Sequence, residues 1–260
     1  MSILVIVDWI GAKIIYWLDI IGNFTLFITN IFQAMFGCRL KIGKFFGQVE
    51  RIGVNSLAIT LITGTFAGAV LALQSYKGFH DLGSENFLGP IVALTMTREL
   101  GPVLTGLMVA GRAGSAIAAE IGTMRITEQV DALQTLQINT FQYLIVPRVL
   151  AGTLVLPLLA LFSIMFGILG GYAVCVYKLD LNSELFKAGI KQALLITDVY
   201  GGLFKASIFG FILTTVGCYK GYFTAGGAKG VGKATTQAVV ASSITIIITN
   251  YFLAAILFGP

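Results

Sequence analysis

Charged residues are scarce in this chain. Of its 260 residues only 11% are Asp, Glu, Lys or Arg, whereas 57% are hydrophobic. A soluble domain carries about 25% charged residues, and it could not keep so much apolar surface away from water. The shortage of charge therefore excludes an ordinary soluble protein. It predicts a polytopic membrane protein built from helices, because lipid offers no partners for free backbone polar groups.

Cysteine and histidine are rare as well. The three cysteines, Cys38, Cys175 and Cys218, are an odd number and predict neither a disulfide framework nor a metal site. The single histidine, His80, lies in a polar loop without a neighbouring cysteine or histidine. Metal binding and acid–base catalysis need converging groups, so we expect His80 to be a solvated loop residue. The chain is not expected to be an enzyme, and no catalytic residue is predicted.

The net charge of +5 is spread over several short loops. A nucleic-acid-binding protein concentrates its basic residues on one face, so this class is not favoured. Most Lys and Arg residues fall on one side of the predicted spans, which places the N-terminus and the 112–148 loop in the cytoplasm. The N-terminus carries Asp8 in its apolar start and lacks a basic n-region, so we expect no cleaved signal peptide.

Long apolar runs predict five transmembrane helices within a single domain of residues 1–260. The predicted spans are residues 52–76, 87–118, 149–177, 199–219 and 234–258. The first 50 residues are ambiguous, because the run after Asp19 just permits a span whereas residues 8–19 are amphipathic. We predict one or two interfacial helices there.

Small residues and proline predict how the spans pack. Gly64 and Gly68 form a small-xxx-small pair in the first span, and a Gly167/Gly171 pair lies in the third. Such pairs let helices approach closely. Pro102, which follows Gly101 in the second span, predicts a kink because proline removes a backbone donor.

Three charged residues lie inside the predicted spans. Arg98 and Glu99 are in the second span, and Lys205 is in the fourth. Intramembrane charges usually face a cavity or a bundle interior and are usually functional. If the two helices are neighbours, the two cations can hold a lipid phosphate. The alternative is that Glu99 neutralises one cation and only stabilises the bundle.

A short amphipathic segment follows the second span. Its apolar residues recur at helical spacing, and its few charges lie elsewhere on the helix surface. The apolar positions are Ile126, Val130, Leu133 and Leu136. The pattern favours a helix that docks in a groove of a partner protein. A helix lying on lipid is the alternative, but such helices are rich in Lys and Arg, and this one is not.

Residues 227–233 read GAKGVGK, which has the spacing of a phosphate-binding loop. Ala234 stands where that loop needs Ser or Thr, and no strand precedes it. We predict a flexible turn between spans instead.

Four stretches resemble the MlaE (YrbE) permeases of bacterial phospholipid-trafficking ABC transporters. They are RELGPV at 98–103, AGRAGSAIAAEIG at 110–122, MRITEQVDAL at 124–133 and KATTQAVVASS at 233–243. The resemblance implies an all-α homodimeric permease of the Gram-negative inner membrane. It would move glycerophospholipid between the inner membrane and periplasmic carriers and so maintain outer-membrane lipid asymmetry.

The resemblance also implies partners and sites. The partners are a cytoplasmic ATPase (MlaF-like), a STAS-domain protein (MlaB-like) and a periplasmic hexamer of MCE domains (MlaD-like). ATP and magnesium would bind the ATPase, and this chain would hold no cofactor. The resemblance places Leu71, Arg98, Glu99 and Lys205 among the lipid-binding positions. Gln74, a polar residue at the outer end of the first span, is a further expected lipid-binding position at the cavity mouth, and the alternative is that it only marks the membrane interface. The expected ATPase-coupling positions, in a cytoplasmic helix between the second and third spans, are Glu120, Arg125, Glu128, Val130, Asp131 and Leu133.

From the residues alone, two other classes stay open. A secondary transporter or channel for another amphipathic substrate would need an ion-coupling site, and a single Glu with two cations is a poor one. A membrane enzyme acting on lipid headgroups would need paired acidic or histidine residues at the interface.

Overall fold

A computed structural model describes residues 2–37, 42–80 and 84–259. Within these ranges the chain forms helices and short connections, with no strand. Cys38, Arg39, Lys41 and Asp81 lie outside the described residues.

The α-helices are named in chain order. They are α1 (Ser2–Phe36), α2 (Ile42–Val49), α3 (Asn55–His80), α4 (Leu88–Thr95), α5 (Gly101–Val109), α6 (Ser115–Ile126), α7 (Gln129–Thr135), α8 (Val146–Tyr177), α9 (Ser183–Ala193), α10 (Ile196–Tyr222) and α11 (Gly227–Phe258).

Wider π-helical turns join several of these helices into longer rods. They are Glu50–Val54, Met96–Leu100, Ala110–Gly114 and Phe141–Ile145, and a short 3₁₀ turn, Glu85–Phe87, precedes α4. The rod Glu85–Ile126 therefore runs through α4, α5 and α6 without a break. Single π-turns inside α-helices are often found at functional sites.

Six helical segments of the described chain are long and apolar enough to cross a membrane. Five contain the predicted spans and extend beyond them: Ile42–His80, Glu85–Ile126, Phe141–Tyr177, Ile196–Tyr222 and Gly227–Phe258. The sixth, Leu18–Phe36, lies in the region that we predicted to be interfacial. The all-α membrane class is confirmed. Length and composition do not separate a crossing from an interfacial position, so the interfacial placement of α1 stays a prediction.

Helices α3 and α8 pack backbone to backbone along the predicted glycine pairs. A Cβ atom built on Gly68 would lie 1.8 Å from the carbonyl oxygen of Gly167, and one on Gly64 would lie 2.7 Å from that of Ser163. The Gly68 carbonyl oxygen lies 3.2 Å from the ideal Cβ position of Gly171. The expected close approach through small residues is confirmed.

The prediction of a flexible turn at residues 227–233 is wrong. These residues form the first two turns of α11, and the reversal of the chain lies just before them at Thr224–Gly226. Gly226 has φ +88° and Gly227 has φ +66°, a region that glycine enters without steric cost. The three glycines within GAKGVGK are compatible with a helix. Because these residues are helical, they do not form a phosphate-binding loop.

Candidate functional site

The intramembrane charges Arg98, Glu99 and Lys205 come together at the contact of α10 with the π-turn Met96–Leu100. Lys205 Nζ donates to Glu99 Oε1 at 2.8 Å and to the Arg98 carbonyl oxygen at 3.0 Å. Pro102 has no N–H to offer to that carbonyl, which lies four residues earlier in the rod. The predicted kink site is thus a π-turn, and the lysine of another helix donates to the carbonyl that proline leaves without its usual partner.

Asp198 and Asn250 complete the cluster, although neither residue was predicted to belong to it. Arg98 binds Asp198 Oδ1 through Nε at 2.9 Å and through Nη2 at 2.8 Å. Asp198 Oδ2 also accepts from the Leu195 N–H at 3.0 Å and so caps the start of α10. Asn250 Nδ2 donates to Glu99 Oε2 at 2.9 Å. With Asp198 included, two cations face two carboxylates, so the net charge is zero instead of the +1 expected from three residues.

The sequence contained a signal for Asn250 but a weaker one for Asp198. Asn250 interrupts an apolar run of α11, and polar groups at such positions usually find a buried partner. Its Oδ1 atom has no hydrogen-bond partner among the described residues. Asp198 precedes an apolar run and reads as part of a polar loop, so its burial at 3% exposure follows only from the packing.

Burial divides the three predicted lipid-binding charges. The Lys205 side chain is 0% exposed, whereas Arg98 is 35% and Glu99 is 36% exposed. Lys205 is therefore not accessible to a lipid in this arrangement, which does not fit the expectation that both cations hold one phosphate. Lys205 instead fixes the position of Glu99 through an ion pair inside the helix bundle.

A cavity of about 470 Å³ opens beside Arg98 and Glu99. It lies between the rod Glu85–Ile126 and the C-terminal half of α11, and its wall is mostly apolar. The lining residues are Leu94, Thr95, Arg98, Glu99, Tyr251, Ala254, Ala255, Phe258 and Gly259. The Phe258 ring centre lies 5.1 Å from Arg98 Cζ, within the range of a cation–π contact. The cavity thus has a charged end and an apolar wall.

Two predicted lipid-binding positions lie elsewhere. Leu71 is partly buried and packs against the core cluster that contains Ala72, Leu88 and Val92. Gln74 is exposed on α3. Neither side chain lines the cavity at Arg98, so the prediction that they share a site with Arg98 and Glu99 does not fit this structure.

The amphipathic segment is not one continuous helix from Arg125 to Leu136. Helix α6 ends at Ile126, Glu128 adopts a left-handed conformation with φ 59°, and α7 begins at Gln129. A non-glycine residue in this region is uncommon and costs about 1 kcal/mol or more. The chain therefore turns sharply at Glu128.

The predicted coupling residues differ in what they contact. Val130 is fully buried in the chain's own core, and Leu133 packs against the same core. Arg125 and Asp131 form an ion pair with each other. Val130 is thus covered by the chain itself, which does not fit its predicted contact with a partner. Glu128 is exposed at the turn between the helices.

Glu120 is also engaged within the chain. It accepts from Arg51 at 2.7 Å and pairs with Arg148 at 3.1 Å. These pairs tie α6 to the π-turn Glu50–Val54 and to α8. The expected pairing of Glu120 with basic groups of an ATPase would have to compete with both contacts.

Comparison with known proteins gives consistent matches over most of the chain. The sequence model of the family described as Permease MlaE matches residues 45–256. The chain is 47% identical over 253 residues to a probable ABC transporter permease protein of Rickettsia bellii, covering 97% of this chain and 98% of the relative.

Two further relatives come from other bacteria. A probable ABC transporter permease protein of Synechocystis is 44% identical over 233 residues, with 89% of each chain covered. The intermembrane phospholipid transport system permease protein MlaE of Haemophilus influenzae is 38% identical over 234 residues, which is 88% of this chain and 89% of the relative.

Proposed function

Because this chain belongs to the MlaE family of ABC-transporter permeases, we propose that it moves glycerophospholipid between the bacterial inner membrane and periplasmic carriers. This transport maintains the lipid asymmetry of the outer membrane. The name of the Haemophilus relative, a phospholipid transport permease, supports the substrate class. Membership of an ABC-transporter family disfavours a secondary transporter or channel.

The partners follow the same proposal. A separate MlaF-like ATPase hydrolyses ATP with magnesium, a MlaB-like STAS protein accompanies it, and a MlaD-like MCE hexamer receives the lipid on the periplasmic side. The permease acts as a homodimer. Helix α11 leaves most of its apolar surface uncovered within the chain, and its C-terminal half forms one wall of the cavity. A second copy seated on α11 would close this cavity.

The observation that carries the proposal is the cavity beside Arg98. A glycerophospholipid has a charged headgroup next to two long apolar chains, and the cavity offers the partly exposed Arg98 and Glu99 next to an apolar wall. The guanidinium can donate to a phosphate oxygen. Acyl chains can pack along Ala254, Ala255 and Phe258. Lys205 and Asp198 hold the two charged residues in place from the protein side.

The rod Glu85–Ile126 supplies a route from an ATPase to this cavity. It begins near the cavity end of the bundle, carries Arg98 and Glu99 in one π-turn, and ends at the turn to α7. We infer that ATPase closure moves α7, shifts the rod and compresses the cavity. The ATPase must contact α7 differently in its two states, because equal contact in both would shift nothing.

Filling the cavity is expected to block transport. Ala255→Phe adds a ring at the apolar wall. We expect lipid transport by the reconstituted complex to fall roughly tenfold, because the lipid loses contacts that contribute at least one factor of ten to its affinity when the ring blocks the cavity. Transport of labelled phospholipid between vesicles and acceptor protein measures this. Ala188→Phe, the same change at an exposed position of α9 that does not line the cavity, is the matched control. Wild-type transport by Ala255→Phe would remove the cavity from the lipid path.

Reversing the charge at Glu128 is expected to uncouple the permease from its ATPase. Glu128→Lys keeps the exposed turn but inverts the charge that a basic ATPase groove would meet. We expect lipid-stimulated ATP turnover to fall about tenfold, the loss of one charge-assisted contact. Glu184→Lys, an exposed carboxylate on α9, is the control. ATP turnover and lipid transport both at the wild-type level in Glu128→Lys would exclude this residue from the coupling surface.

A further inference from the structure

A second charged cleft lies far along the bundle from Arg98, where α2 meets α6 and α8. Its volume is about 380 Å³. The lining residues are Lys44, Gly47, Gln48, Arg51, Glu120, Met124, Tyr143, Leu144, Pro147 and Arg148. Three cations and one carboxylate therefore face the same space, which leaves an excess of positive charge.

The single carboxylate does not satisfy the cations around it. Glu120 is shared between Arg51 and Arg148, one on each carboxylate oxygen. The Arg148 side chain is only 5% exposed, and its Nε has no hydrogen-bond partner in the described part of the chain. Its Nη1 donates to the Leu144 carbonyl oxygen at 2.6 Å. A buried guanidinium that is incompletely paired is costly and favours a nearby anion.

Lys44 stands on the other side of the cleft. Its Nζ lies 2.9 Å from the centre of the Tyr143 ring, so the ammonium is held by the aromatic face without an opposite charge in that contact. Gln48 is on the same helix, one turn further along, and adds a neutral donor and acceptor to the wall. The nearest other carboxylate in sequence, Glu50, is exposed and does not line the cleft.

The cleft is placed at membrane-surface level by the helix that forms its rim. Helix α2 leaves Ile42 at 69% and Phe46 at 62% exposure, while Lys44 and Gln48 line the cleft. Exposed apolar residues beside a cationic groove are typical of a helix that lies in the headgroup region of a bilayer. Phosphate groups of lipids occupy that depth.

We propose that this cleft binds the phosphate of an anionic phospholipid headgroup on the membrane face next to α7. Lys44, Arg51 and Arg148 surround the phosphate, Gln48 donates to it, and the acyl chains run beside Ile42 and Phe46. The site is separate from the cavity at Arg98 and does not depend on the transport role proposed for that cavity. Because the ligand contacts α2, α6 and α8 together, it adds to the ion pairs that Glu120 makes at this junction.

Native mass spectrometry of the full chain, released from nanodiscs of phosphatidylethanolamine with one fifth phosphatidylglycerol, tests this site. The variants are Lys44→Gln, Gln48→Glu and Gln48→Lys. Each basic residue near an anionic surface changes affinity about fivefold. We expect retained phosphatidylglycerol to fall at least about fivefold in Lys44→Gln and Gln48→Glu, and to rise in Gln48→Lys. Lys178→Gln, an exposed residue on a different loop, makes the same charge change as Lys44→Gln and is expected to leave retention unchanged.

The opposite charges at position 48 keep the test informative if one variant folds poorly, and circular dichroism confirms the helical content of each. A second arm adds inorganic phosphate at millimolar concentration both to nanodiscs of phosphatidylethanolamine alone and to the mixed nanodiscs. Phosphate that binds in the former, and displaces phosphatidylglycerol from the latter, would show a site for small anions and overturn the lipid assignment. Equal lipid retention in all variants would overturn the assignment as well. So would a loss of phosphatidylglycerol in Lys178→Gln as large as that in Lys44→Gln.

Discussion

Lys205→Met is expected to destabilise the protein by about 3 kcal/mol, near the low end for removing one partner of a buried ion pair. The substitution keeps the length of the side chain but leaves Glu99 without its cation and the Arg98 carbonyl oxygen without the Lys205 donor. Because Glu99 retains 36% exposure, water offsets part of the loss. An unfolding titration in detergent micelles, followed by circular dichroism, measures the change.

Two further variants serve as controls for the effect of Lys205→Met. Lys187→Met breaks the exposed pair of Lys187 with Glu184, whose side chains are 57% and 83% exposed, and we expect a change of at most about 1 kcal/mol. Adding Glu99→Gln to Lys205→Met removes the unpaired carboxylate, so most of the stability is expected to return. Lipid transport is expected to stay low in this double variant, because the exposed charge at position 99 is gone. Recovery of both stability and transport would make the cluster purely structural.

Gly68→Ala is expected to have the second large effect, because it separates α3 from α8. The added methyl group would lie 1.8 Å from the Gly167 carbonyl oxygen, which is backbone and cannot rotate away. Overpacking of this kind costs about 1–3 kcal/mol and sometimes more, and here the separation also loses contacts along the whole glycine seam. The free energy of unfolding in the same detergent titration is the readout, with transport measured in parallel.

Gly78→Ala is the matched control on the same helix. Among the described residues, no atom outside the neighbouring backbone of α3 lies within 4 Å of its ideal Cβ position, so the expected effect is the higher helix propensity of alanine, up to about 1 kcal/mol of stabilisation. The same Gly→Ala change is thus expected to lower the free energy of unfolding at position 68 and to raise it at position 78, ten residues further along the helix. Wild-type stability in Gly68→Ala would mean that α3 and α8 do not meet at this glycine.

The sequence by itself determined the features that depend on local composition. Apolar runs set the five long spans because a helix that crosses lipid needs about 20 such residues. Gly64, Gly68 and the Gly167/Gly171 pair predicted close helix approach in the first and third spans, since small residues at that spacing lie on one helix face, whereas the structure showed that these two helices pack against each other. Arg98, Glu99 and Lys205 likewise indicated a charged cluster, because ionisable residues within apolar runs usually face the interior of a bundle.

The resemblance to MlaE permeases added the family, which the comparisons confirm, but not the contacts of individual residues. It placed Leu71 with the charged cluster, and the packing separates Leu71 from it, as it does the polar Gln74. The resemblance also suggested Glu120, and the amphipathic pattern suggested Val130, as contacts for an ATPase. In the structure Val130 lies in the core, and Glu120 binds two arginines of its own chain.

Only the tertiary structure decided which charges meet and which of them a ligand can reach. Asp198 comes one hundred residues after Arg98 in the chain, and Asn250 lies on yet another helix, so neither pairing follows from spacing. The burial of Lys205 depends on the rotation of α10 against the π-turn Met96–Leu100. Hydrophobic pattern and helix propensity are local properties, whereas ion pairing and exposure depend on how neighbouring helices are turned. For this reason the sequence located the charged cluster, and the packing of α10 and α11 against the rod Glu85–Ile126 determined that Arg98 and Glu99 face the cavity while Lys205 supports them.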